Sequence, residues 1–299
     1  MLKQFMIGQY GGFDDKKFKR DFKLGFHGIE ACLMGHEEDV ECLQDAANRE
    51  GFHIGVHFPL RSGYAKLRDA LFLSPNDTER EQAYRYIQHE LDYMTSVNPD
   101  YVLFHYPKPV ILDDRVDWSL WRFTDESEYV YESKYSFAEF SEKSELLFAW
   151  LSDKSEEYRF TPVLEFDGLN KYIYETDFLE CLLDRYPRIR LCLDTARLHL
   201  QNETDPHFDA KLVIQKFTKY AHIIHLSNAQ VAADGIQSRH YPVLPELRPE
   251  EGWAPIAEYL RIVRQENRNV KIMFEHRSDR ISDEQLERCY AWVDELLNS

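Results

Sequence analysis

Eight short apolar runs, each followed by a longer amphipathic segment, constrain this chain more than any other feature. The runs are FMIGQY (5–10), GIEACLM (28–34), HIGVHF (53–58), YVLFHY (101–106), PVLEF (162–166), IRLCLD (189–194), HIIHLS (222–227) and VKIMFEH (270–276). Their length and their Val, Ile, Leu and Phe content suit buried strands, and the intervening segments carry apolar residues at helical spacing. Asp77-Thr78 and Ser282-Asp283 stand where helices should begin, and Pro99 and Pro187 follow helices. Eight β–α units in succession predict an α/β fold, a (β/α)8 TIM barrel spanning 1–299 as a single domain. An open doubly wound sheet is the alternative. It is disfavoured because neither GxGxxG nor GxxxxGK[ST] occurs, which also leaves a nucleotide site without support.

The barrel reading makes the strand ends informative. Side chains alternate along a strand, so one set faces the lumen. His57 follows Val56, His105 follows Phe104, Glu165 follows Leu164, Asp194 follows Leu193, His225 follows Ile224 and Glu275 follows Phe274. In each case an outward apolar residue precedes an inward polar one near the C-terminal end of the strand, where barrel enzymes place their catalytic groups. Alone, His57 or His105 reads as a hydrogen-bonded core histidine, Glu165 as a cap for the next segment, and Asp194 as a helix N-cap. The repetition at one register favours a site. Converging buried carboxylates repel one another, and a divalent cation resolves the cost. Oxygen and imidazole donors suit Mn²⁺, Mg²⁺, Co²⁺ or Zn²⁺.

Composition narrows the classes. Hydrophobic residues make up 43 % of the 299, enough for a sizeable core, and the formal charge of −17 disfavours a nucleic-acid footprint. The five cysteines (Cys32, Cys42, Cys181, Cys192 and Cys289) are odd in number and lack CxxC spacing, which argues against a disulfide framework or a thiolate zinc site. No run approaches the ~18 apolar residues of a membrane span, and MLKQFMIGQYGG lacks the apolar stretch of a signal peptide. The expectation is a cytoplasmic protein without a membrane partner.

Several motifs carry a resemblance: GFHGIEA (25–31), His57-Phe58-Pro59, LFHYP (103–107), VLEF (163–166), CLDTARLH (192–199), IIHLSN (223–228) and MFEH (273–276). Together they resemble the xylose-isomerase-like barrels, the superfamily of sugar and sugar-phosphate isomerases and epimerases that also contains endonuclease IV. The resemblance implies one metal held by Glu165, Asp194, His225 and Glu275, as in the tagatose/psicose epimerase branch. It also implies that Glu165 and Glu275 are the catalytic proton-transfer pair. By resemblance to the endonuclease branch, His57 and His105 match histidines that recruit further metals. That branch also has a histidine three residues after the strand-six aspartate and an Asp-x-His after strand seven. Here Arg197 and Ser238-Arg239-His240 stand there, so only His240 survives and a third metal is not expected.

These matches imply a metal-dependent isomerase or epimerase acting on a sugar or sugar phosphate through an enediolate, with one divalent metal and room for a second. Arg197 either grips an anionic substrate group or pairs with a nearby acid, and His57, His105 and His240 either contact substrate or hold the second metal. His199 reads as structural. A metal-dependent phosphodiesterase on abasic DNA and a non-catalytic binding barrel are the alternatives. The long segment 107–136, with Trp118, Trp121, Phe123, Tyr129, Tyr131 and Tyr135, reads as an aromatic roof over a sugar or as a surface for a homodimer.

Overall fold

The computed structural model describes residues 2–298. Its main strands are β1 (Phe5–Tyr10), β2 (Gly28–Cys32), β3 (His53–His57), β4 (Tyr101–Tyr106), β5 (Thr161–Phe166), β6 (Arg190–Asp194), β7 (Ala221–Leu226) and β8 (Lys271–Phe274). Hydrogen bonding joins them in the order β1-β8-β7-β6-β5-β4-β3-β2 as a closed parallel barrel. Each strand falls on one of the eight apolar runs. Among the described residues, no helix is long and apolar enough to cross a membrane.

Local chemistry explains the helices. Asn76 caps the helix Asp77–Met94, its side chain accepting from the backbone N–H groups of Thr78 and Glu79, and Ala83, Ile87, Leu91 and Met94 form the buried stripe. Gly252 closes a 3-10 turn over Pro249–Glu251, and the next helix runs from Ile256 to Glu266. Its φ of +85° and the approach of Val231 O, 2.1 Å from where a Cβ would stand, require glycine there.

The chain forms two compact units. One contains Gln9–Phe13 and Glu30–Arg190; the other contains the chain up to Gly8, Asp14–Ile29 and Leu191 onward. In the first, β3, β4 and β5 align so that Gly55 pairs with Tyr101, His57 with Leu103 and His105 with Glu165. Gly55 is the only residue type its place allows, since a Cβ would lie 2.2 Å from the Tyr101 ring. The Tyr101 hydroxyl then donates to Glu30 Oε2 at 2.7 Å, and Tyr10 donates to the other oxygen at 2.9 Å. Segment 107–136 is more structured than a loop: Val110–Leu112 and Tyr129–Tyr131 pair as parallel strands. Trp118, Trp121 and Tyr135 are buried, so those three rings are not surface for another chain. Tyr131 remains exposed.

In the second unit, β7 aligns with its neighbours so that Asp194 pairs with His225 and Met273 with His225. Asn228–Ala232 and Gly235–Tyr241 form an antiparallel hairpin after β7. The MFEH motif divides by strand alternation. His276 is buried, and desolvation, with Lys17 and Arg20 nearby, pushes its imidazole down to about 3. It packs on the Phe274 ring at 5.5 Å as a neutral core residue.

Candidate metal centre

In the first unit, three inward strand-end residues meet. His105 Nε2 lies 2.9 Å and His57 Nε2 3.3 Å from Glu165 Oε2. The two rings meet edge to face with centroids 4.9 Å apart. All three side chains are buried, and their ligand-type atoms lie within 4.8 Å of one another. Burial alone would lower the His57 pKa, but the neighbouring Cys32 and Glu165 raise it to about 10.

His105 is oriented from behind. Its Nδ1 stands 2.8 Å from Asp69 Oδ2, and Arg68 lies against the ring, its guanidinium 2.8 Å from Nδ1. Lys108 bridges Asp69 and Asp167. Burial raises and the charges of His105 and Lys108 lower the Asp69 pKa, with the net result well below the usual carboxylate range. Trp121 Nε1 donates to Asp167 Oδ1 at 3.2 Å. Gly168 permits this packing, since a Cβ there would meet Val110, Trp118 and Trp121.

In the second unit, Asp194 is both strand end and N-cap of the helix Thr195–Thr204. Its Oδ1 accepts from the backbone N–H groups of Ala196 at 2.8 Å and Arg197 at 3.1 Å. Its Oδ2 is 3.3 Å from Arg197 Nε, so of the two readings of Arg197 the ion pair is the one seen. His225, fully buried, has Nδ1 3.5 Å from Glu275 Oε2. Glu275 is anchored by its backbone N–H, which donates to Leu226 O at 3.2 Å, and its side chain keeps 15 % exposure. His240 sits in left-handed backbone, φ +47°, with Nδ1 3.3 Å from Glu275 O. His199 is buried with Nε2 3.1 Å from Gly252 O, a structural contact.

Buried imidazoles together with carboxylates form donor sets that fit a divalent cation. Residues 22–296 match the family described as the xylose isomerase-like TIM barrel. The chain belongs to that family. Three solved structures of this fold illustrate its range. A D-tagatose 3-epimerase-like protein is 12 % identical with TM-score 0.64, covering 98 % of each chain. A Thermus thermophilus protein soaked with ZnCl2 is 17 % identical with TM-score 0.57, covering 98 % of this chain and 97 % of that one. A family 2 AP endonuclease from Brucella melitensis is 15 % identical with TM-score 0.56, covering 98 % of each. No curated protein sequence matches the chain. At these identities the likeness shows the fold.

Sequence reasoning missed Arg68, Asp69, Lys108, Asp167 and the neighbour of His57, Cys32. Asp167 and Lys108 had a signal, since each stands one or two residues beyond a strand end already singled out. Asp69 had none, lying in a segment without periodicity.

Proposed function

We propose that the protein is a divalent-metal-dependent sugar or sugar-phosphate isomerase or epimerase, with Glu165, Asp194, His225 and Glu275 holding the metal. The observation that carries this reading is Glu165, a buried carboxylate at a strand end with two imidazole nitrogens at 2.9 and 3.3 Å. A bound divalent metal supplies Lewis-acid stabilisation of the substrate oxygen on which charge develops.

The chain's own residues do the rest. One of Glu165 and Glu275 takes the proton from the carbon beside the carbonyl, and the other delivers a proton back. Where it returns decides between epimerisation and 1,2-isomerisation. His105 and His57 hold the Glu165 carboxylate in place, and Asp69 fixes the His105 ring from the opposite nitrogen. Burial keeps water away from Glu165, whereas the partial exposure of Glu275 suits a group that must meet an entering substrate. Arg197, part-exposed and paired with Asp194, would turn from that pair to grip a carboxylate or phosphate of the substrate.

Ketoses and ketose phosphates incubated in deuterated water with Mn²⁺ test the proposal. The expected result is deuterium at the carbon beside the carbonyl together with an epimer or isomer. Absence of exchange with every sugar tried, alongside metal-dependent nicking of an abasic duplex, would favour the phosphodiesterase reading that His57 and His105 also suit.

A further inference from the structure

Asp69, His105 and Asp167 present three ligand-type atoms, all buried, within 4.8 Å of one another. Two carboxylates and an imidazole form a donor set that a divalent cation takes readily. The space among them is already taken. Lys108 Nζ lies 2.7 Å from Asp167 Oδ2 and 2.9 Å from Asp69 Oδ2, and Lys108 is 3 % exposed. A buried ammonium is costly unless paired, and two neighbouring buried carboxylates repel unless a cation lies between them. Lys108 meets both needs between the two carboxylates, while Arg68, more open to solvent, pairs with the other Asp69 oxygen, Oδ1, at 3.1 Å.

The topology brings these groups together. Tyr106 and Phe166 are register partners, so Lys108 and Asp167 leave adjacent strands side by side. Asp167 N donates to Tyr106 O at 3.1 Å, and Leu73 N donates to Lys108 O at 2.8 Å, which ties the Asp69 segment to the same place. With Trp121 on Asp167 Oδ1, the other oxygen is directed at the ammonium.

We propose that the Lys108 ammonium replaces a second divalent cation in the cage of Asp69, His105 and Asp167, so that the protein carries one exchangeable metal and one cation built into its chain. The count of one exchangeable metal rests on the function proposed above; the filled cage does not. Lys108 is then a positioning residue. It shares Asp69 Oδ2 with His105 Nδ1, and this turns His105 Nε2 toward Glu165. A two-metal clamp on the attacking and leaving oxygens of a phosphodiester needs a second exchangeable ion. Proton transfer beside a carbonyl does not.

Metal equivalents per chain, measured by elemental analysis after equilibration with Mn²⁺ and desalting, test this. The wild type is expected to retain one equivalent. Lys108→Ala is expected to retain one more than the wild type, and Lys108→Ala with Asp167→Asn is expected to lose that gain. A wild type that binds a second equivalent removed by Asp167→Asn overturns the proposal. So does a folded Lys108→Ala protein that binds no more than the wild type. If Lys108→Ala does not fold alone, refolding with Mn²⁺ decides: a cooperative melt recovered only with metal supports the proposal, and no recovery overturns it. A wild type that binds no metal counts against the proposed function, while the gain in Lys108→Ala still reads the cage.

Discussion

The cluster around His105 and the group formed by Asp194, His225 and Glu275 use the same residue types at the same kind of strand end, yet they accommodate buried charge differently. Around His105, a buried lysine lies between two buried aspartates, and a guanidinium lies against the imidazole. In the other unit, Asp194 is stabilised by two helix N-terminal amides and by Arg197, whose side chain is 28 % exposed. Glu275 is partly open to solvent. Where the chain supplies a buried cation, charge neutralisation is a fixed part of the fold. Where it relies on amide dipoles and a part-exposed guanidinium, an exchangeable cation can still add to it. The first region is therefore expected to matter most for stability and alignment, and the second for metal affinity and chemistry.

The largest effect expected is on turnover. Glu165→Gln and Glu275→Gln should each lower kcat by ~10²–10⁴-fold at saturating Mn²⁺, because the amide keeps a ligand oxygen but cannot accept a proton. Steady-state kinetics on the sugar that exchanges deuterium check this. If only one variant is impaired, the two glutamates do not share the proton transfer.

Next comes folding stability. Asp167→Ala leaves the buried Lys108 with one carboxylate and should cost about 3–5 kcal/mol, read from urea midpoints of the metal-free protein. Asp194→Asn keeps a good N-cap residue, so in the same measurement it should cost well under that. Equal losses would erase the contrast between the two regions.

Metal affinity should reverse the ranking. Asp194→Asn is expected to weaken Mn²⁺ binding by at least the ~10–100-fold seen when a ligand's outer partner is lost. Titration calorimetry that finds Asp69→Asn more harmful to affinity than Asp194→Asn would place the exchangeable metal in the wrong region.

Trp121→Phe, which removes one N–H donor from Asp167 while keeping an aromatic ring, should cost about 0.5–1.5 kcal/mol. The smallest effect is expected for Arg197→Ala: about 1 kcal/mol on stability, because Asp194 keeps its two backbone N–H donors, with KM rising more than kcat falls. A fall confined to kcat would instead make Arg197 part of the chemistry.

The eight strands and the polar residues at their ends, Glu165, Asp194, His225, Glu275, His57 and His105, are legible in the sequence. Their signals are local. An apolar run of five or six residues and the two-residue alternation within it are set by neighbours along the chain, and a closed parallel barrel is the arrangement eight such units favour. The hairpin over 228–241 and the strand pair inside 107–136 carry no comparable period, and they emerge only in the structure.

What the tertiary structure alone decided is which partners the strand-end residues have. Asp69 reaches His105 across 36 residues, and Trp121 reaches Asp167 across 46. No periodicity encodes such pairings, because they arise when separate loops close over adjacent strand ends and every buried charge must find a counter-charge within hydrogen-bond reach. Lys108 reads in the sequence as a lysine between two prolines. The fold makes it the cation of a buried cage, because Tyr106 and Phe166 stand in register and the residues beyond them have nowhere else to place their charges.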